Sequence, residues 1–138
     1  MIKTKPLLFI IAFATLTFCN SKKEDKSPEI QESIQRGSEV YNDFCMACHL
    51  PNGQGVPSTF PPLAKSDYLM NKRAESIKAI KYGQKGKITV NGVEYDNVMT
   101  PLGLSDQEVA DVMNYITNSW GNTNNKMVTE DEVSKIQP

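Results

Sequence analysis

Cys45-Met46-Ala47-Cys48-His49 places two thiols three residues apart and an imidazole directly after the second, in a chain of 138 residues that has only three cysteines and one histidine. That spacing is the attachment signature of c-type haem. Both thiols can add to the vinyl groups on one porphyrin edge, while the adjacent imidazole turns beneath the ring to become the proximal iron ligand. A thioredoxin-like dithiol would need a βαβ setting and leaves the histidine without a task. Structural zinc lacks a fourth ligand once Cys19 is assigned elsewhere. Cys45, Cys48 and His49 are therefore the expected binding residues for one covalent haem c.

Working outward toward the N-terminus, Lys3 and Lys5 precede an uncharged apolar run from Leu7 to Phe18. This is the layout of a secretory signal peptide over residues 1–18, and the run is shorter than a bilayer span requires. Leu16-Thr17-Phe18-Cys19 is similar to the lipobox of a bacterial lipoprotein, with Phe18 where a smaller residue is usual, so Cys19 is the expected lipidation site. Export agrees with haem attachment, which takes place outside the bacterial cytoplasm. Two cysteines then go to porphyrin and one to lipid, with no pair left for a disulfide.

Without residues 1–18 the chain carries 13 basic and 16 acidic side chains, a net charge of −3. Nucleic acid is excluded as an expected partner on that balance. The basic residues nevertheless gather between Lys72 and Lys87, where Lys72, Arg73, Lys78, Lys81, Lys85 and Lys87 outweigh Glu75. They read either as a solvated helix face or as a docking surface for an acidic redox partner.

Residues 19–29 are polar and read as a flexible, lipid-anchored linker. A haem domain is expected over residues 30–120, small enough that the cofactor supplies much of the core. Ile30, Ile34, Gly37, Val40, Tyr41 and Phe44 recur at helical spacing and lead into the haem motif. Val109, Val112, Met113, Ile116 and Trp120 form a second apolar stripe behind the Ser105-x-x-Glu108 capping box, with Gly121 as the stop. Gly37 is the expected point of close approach between the two helices. A third helix is predicted over 71–82, capped by Asn71, ended by Gly83 and turning Ala74, Ile77 and Ile80 inward. Ile88-Thr89-Val90 and Val93-Glu94-Tyr95 flank Asn91-Gly92, the dipeptide that best supports a type I′ hairpin. Residues 121–138 read as a loop and a short helix capped by Thr129, expected to be peripheral.

Low-spin electron-transfer haem needs a second axial ligand, and His49 is the only histidine. Methionine sulfur is the remaining donor. Met113 belongs to the core stripe, Met127 falls in the tail, and Met70 precedes a helix where it could pack. Met99 lies in the irregular stretch Asn97-Val98-Met99-Thr100-Pro101, stiffened by Pro101, and is the expected ligand.

These residues, with Phe60-Pro61-Pro62-Leu63, Asp67-Tyr68-Leu69, Leu104-Ser105-Asp106 and Tyr115-Ile116-x-x-Ser119-Trp120-Gly121-Asn122, resemble the class I c-type cytochromes, in particular small bacterial monohaem members that are lipoprotein-like. The resemblance implies an all-α cytochrome c fold: three main helices around a covalent haem, with a small β-hairpin before the methionine ligand. It implies that the Gly37 helix crosses the last helix near Tyr115, that His49 and Met99 are axial, and that the Pro61 carbonyl accepts the His49 ring N–H. Thr100 departs from the family pattern, which usually has proline after the ligand methionine.

With both axial positions filled, the expected role is an electron carrier, not an enzyme. It would be a monomer on the periplasmic side of a bacterial membrane, tethered by lipid and passing single electrons to a membrane-associated oxidase or reductase. A fixed electron-entry subunit of a respiratory complex is the alternative. A peroxidase or gas sensor would require an open iron site, which Met99 opposes.

Overall fold

The computed structural model describes residue 1 and residues 26–138, so the expected leader, Cys19 and most of the 19–29 linker lie outside the described residues. Among the described residues three helices of ten residues or more carry the architecture: α1 (Pro28–Phe44), α4 (Arg73–Tyr82) and α5 (Asp106–Ile116). Short helices α2 (Met46–His49), α3 (Asp67–Asn71) and α6 (Glu130–Ser134) fill the connections. Strands β1 (Ile88–Val90) and β2 (Val93–Tyr95) form one antiparallel hairpin with Ile88 opposite Tyr95.

Helix α1 begins at Pro28, two residues before the expected domain boundary, because proline fits the first turn of a helix, where its missing N–H is not needed. Its buried residues Ile30, Ser33, Gly37 and Tyr41 face α5. Gly37 is the crossing point: a Cβ there would lie 1.9 Å from the Asp111 carbonyl oxygen and 2.9 Å from the Tyr115 Cβ. Asp111, almost completely buried, is satisfied from both helices. Ser33 Oγ donates to it at 2.6 Å, the Arg36 guanidinium at 2.7 and 2.8 Å, and Gln107 at 3.0 Å. A buried carboxylate without such donors would cost several kcal/mol.

The reciprocal capping box of Ser105 and Glu108 starts α5 as the sequence predicts. Its end differs: the helix closes at Ile116, not beside Gly121. Thr117 Oγ1 donates to the Met113 carbonyl at 2.6 Å and Asn122 Nδ2 caps the Ile116 carbonyl at 2.8 Å. The Asn122 bond satisfies a carbonyl that a longer helix would have used, while the Met113 carbonyl also takes the Thr117 backbone N–H at 3.0 Å. Trp120, at φ 53°, swings out of the helical path and packs its ring 5.0 Å from Tyr41 and 5.5 Å from Tyr115.

The helix predicted over 71–82 starts two residues later, at Arg73, and ends at Tyr82 before Gly83 as expected, while Asn71 belongs to the short helix α3 before it. Ser66 Oγ accepts from the Leu69 N–H at 3.1 Å and caps α3, so Asn71 ends one helix instead of starting the next. The chain bends at Lys72 (φ −120°, ψ 63°), which becomes the N-cap of α4. The bend rotates α4, leaving Ala74 exposed and turning Ser76 inward beside Ile77 and Ile80. Asn91 and Gly92 adopt φ 50° and 78°, as a type I′ turn requires.

The tail is not peripheral. Val128 and Val133 are fully buried. The buried Asn114 amide accepts from the Val128 N–H at 2.7 Å and donates to its carbonyl at 2.8 Å, which makes a two-bond bridge from α5 to the tail. Arg73 then holds Glu132 at 2.7 Å and the carbonyls of Lys126 and Met127 at 2.9 Å. Single valines in a polar stretch show no periodicity, so the sequence pattern gave no sign of this docking.

Candidate functional site

The chain between His49 and Leu63 folds back on the haem motif through two glycines. The Gly55 N–H donates to the His49 carbonyl at 3.0 Å, and Leu63 and Ala64 both donate to the Gly53 carbonyl. Neither glycine admits a side chain: a Cβ would lie 2.5 Å from the Trp120 ring at Gly53 and 2.2 Å from the Phe60 carbonyl oxygen at Gly55. This tight return brings the Pro61 carbonyl to 3.0 Å from His49 Nδ1. The distance suits an Nδ1–H donating to that oxygen, which leaves the lone pair on Nε2. Burial pushes the His49 pKa down, only partly opposed by the Pro61 hydrogen bond, so the ring is kept neutral, the state in which it can bind a metal. The Tyr41 hydroxyl donates to the Leu50 carbonyl at 2.7 Å and ties the same return to α1.

Cys45, Cys48 and His49 line one wall of a cleft that runs between α4, the hairpin and the segment around Met99. Among the described residues no Asp, Glu, Lys or Arg contributes to its lining, and Met99 is the only methionine that does. Met113 is buried in the core, as its helical position predicts. Cys45 is buried and Cys48 exposed. Burial, reinforced by the neighbouring Cys48, pushes the Cys45 thiol up to about 11, the opposite of the activated thiolate that a dithiol oxidoreductase needs.

Met99 is fixed by a contact the sequence did not reveal. Its N–H and carbonyl form a two-bond bridge with the backbone of Gln84, both bonds at 2.8 Å. Gly83, at φ 83°, precedes the bridge, and a Cβ there would lie 2.6 Å from the Met99 carbonyl oxygen. The end of α4 thus holds the Met99 backbone where Thr100 offers less rigidity than proline. An unpaired glutamine in a loop carries no signal for such a bridge; Gly83 was legible only as a helix stop.

A large, uncharged, mainly apolar cleft with two thiols at one edge and both imidazole and thioether in its lining fits a porphyrin. The buried Ser76 hydroxyl lines it as well and has no partner among the described residues. Fold and site together define a class I c-type cytochrome. The family model for cytochrome c matches residues 34–120, and the chain belongs to that family. It is 37% identical over 110 residues to cytochrome c-552 of Thermus thermophilus, covering 73% of this chain and 83% of that protein. It is 38% identical over 76 residues to cytochrome c-554(548) of Halomonas halodenitrificans, covering 51% of this chain and 78% of that one. A third relative is the cytochrome c subunit of the quinone alcohol dehydrogenase of Gluconobacter oxydans, 29% identical over 115 residues. That match takes in 73% of this chain but only 22% of the subunit. The protein is an electron carrier with covalently bound haem c, and not an enzyme.

Proposed function

We propose that His49 and Met99 are the two axial ligands of the haem iron, with Cys45 and Cys48 as the thioether anchors and the Pro61 carbonyl as the group that orients the imidazole. The observation that carries this reading is the lining of the cleft: among the described residues its only histidine is held by the Pro61 carbonyl and its only methionine has its backbone bridged to Gln84. When bound, haem c supplies one-electron exchange between ferric and ferrous iron. The chain's part is to keep both axial donors in place through that exchange. Pro61 holds the ring, Gln84 holds the Met99 backbone, and the apolar walls exclude water. Little then has to move when charge changes. Thioether opposite imidazole favours the ferrous form, which suits delivery toward a terminal oxidase or reductase.

The working cycle we assign is that of a monomeric shuttle on the periplasmic side, exported by residues 1–18 and anchored through lipid on Cys19. Residues 19–29 would be the linker, 30–120 the haem domain and 121–138 the tail that packs against it. Among the described residues no helix is long and apolar enough to cross a membrane. Docking falls to what remains of the basic cluster. Arg73 is paired with Glu132, Lys81 with Asp106 at 2.7 Å and Lys87 with Glu94 at 2.8 Å, which leaves Lys72, Lys78 and Lys85 as exposed charges for an acidic partner. A fixed electron-entry subunit is the second reading. It is favoured by the likeness to cytochrome c subunits of dehydrogenases, of which this chain matches about a fifth.

The test is to reduce the purified protein and mix it with membranes of its own organism. A shuttle is reoxidised quickly, more slowly at high salt, and does not bind carbon monoxide. Rapid carbon monoxide binding would contradict a filled iron site, and stoichiometric co-purification with a dehydrogenase would favour the fixed subunit.

A further inference from the structure

Ser76 lies in the second turn of α4, 6% exposed, and its Oγ is buried without a hydrogen-bond partner among the described residues. A helical serine or threonine hydroxyl ordinarily relieves itself by donating to the carbonyl four residues back. This chain does so twice at the end of α5, from Thr117 to the Met113 carbonyl at 2.6 Å and from Ser119 to the Tyr115 carbonyl at 2.7 Å. Ser76 does not, although the Lys72 carbonyl is present and takes its backbone N–H at 2.9 Å. Leaving a buried hydroxyl unpaired forfeits its hydration with nothing in return, which destabilises the fold. Ser76 lines the haem cleft, so the group that fills the cleft is the available partner.

Resting on the reading that haem c fills this cleft, we infer that Ser76 donates its hydroxyl hydrogen to one of the haem carboxylates. The porphyrin nitrogens are committed to iron, so the two carboxylates are the cofactor's strong acceptors. The protein's own alternative is the Met99 sulfur, a weak acceptor. Met99 is pinned beyond the C-terminal end of α4 by Gln84, whereas Ser76 is six residues before Tyr82, about 9 Å back along the helix axis. That places the hydroxyl toward α3, where Tyr68 also lines the cleft and the Lys72 ammonium lies 5.0 Å from its ring. With no charged side chain among the described residues of the lining, a carboxylate entering the cleft must be held by neutral donors; Ser66 lines it too, but its hydroxyl already accepts from the Leu69 N–H, whereas the buried Ser76 hydroxyl makes no hydrogen bond among the described residues.

The experiment uses the holoprotein with ¹³C in the haem carboxyl carbons, and compares the wild type with Ser76→Ala and Ser76→Thr. Redox-difference infrared spectra and midpoint potentials are the readouts. Loss of the donor leaves more negative charge uncompensated near iron. Ser76→Ala is therefore expected to shift the labelled carboxylate band and lower the potential, with Ser76→Thr restoring both. An alanine variant whose carboxylate band and potential match the wild type overturns the inference. So does a change confined to the methionine-to-iron charge-transfer band. Failure of the underlying reading is separately visible, because wild-type protein would then carry no covalent haem and no labelled band.

Discussion

At the scale of single residues, two glycines set what the site can be. Gly37 has no room for even one methyl group, since its Cβ would sit 1.9 Å from the backbone of Asp111. Gly37→Ala must push α1 from α5 and disturb the donors around the Asp111 carboxylate. We expect it to lose about 3 kcal/mol of stability, read as a lower midpoint in thermal unfolding, with haem still attached at Cys45 and Cys48. Gly83→Ala is a different case. It forces a left-handed φ of 83° on an L-residue and crowds the Met99 carbonyl at 2.6 Å. The expected result is a stability loss of only about 1–2 kcal/mol. Carbon monoxide binding by the reduced protein should rise as the Met99 loop loosens. Unchanged carbon monoxide exclusion would mean that the Met99 backbone does not depend on the end of α4.

At the scale of elements, the C-terminal tail braces the helix that forms one wall of the cleft. Arg73, Lys81 and Tyr82 on α4 hold Glu132, the Val133 carbonyl at 3.0 Å and the Ile136 carbonyl at 2.9 Å. Arg73→Ala removes the guanidinium's bonds to Glu132 and to two backbone carbonyls. It is expected to cost about 1–2 kcal/mol, with amide exchange rising first from Val128 to Ile136 and only later in α5. Acid should act on the same contact. Hydrogen bonding from Arg73, working against partial burial, holds the Glu132 carboxyl below its ordinary range. A depressed carboxylate stabilises the fold above its unfolded value of about 4.3, and that contribution fades as pH falls through the folded value. Tail amides should therefore lose protection below about pH 4 before α1 and α5 do. Glu132→Gln is expected to remove that pH dependence.

At the scale of the whole molecule, much of the fold was legible because it rests on periodic or strongly typed signals. The α1 stripe from Ile30 to Tyr41, the α5 stripe from Val109 to Ile116, the Ser105–Glu108 box and the Asn91-Gly92 turn appear where their chemistry predicts, whereas Phe44 at the end of the first stripe is exposed and Trp120 at the end of the second leaves the helix. The bend at Lys72 was hidden because Ser66 and Asn71 are both competent caps and only the packing chooses between them. The buried tail was hidden because Val128 and Val133 are isolated among polar residues. Within the site, the pentapeptide announced its own chemistry and the likeness to class I cytochromes pointed to Pro61. The Gln84 bridge and the inward Ser76 hydroxyl arise from tertiary placement alone.

The central claim is a porphyrin iron held between the His49 imidazole and the Met99 sulfur. The measurement closest to it is the visible and near-red absorption spectrum of the oxidised holoprotein beside that of Met99→Ala. The wild type should show a low-spin spectrum with the thioether-to-iron charge-transfer band, and the variant should lose that band while keeping its covalent haem. A wild-type spectrum with no such band, or a band that survives in Met99→Ala, would contradict the account.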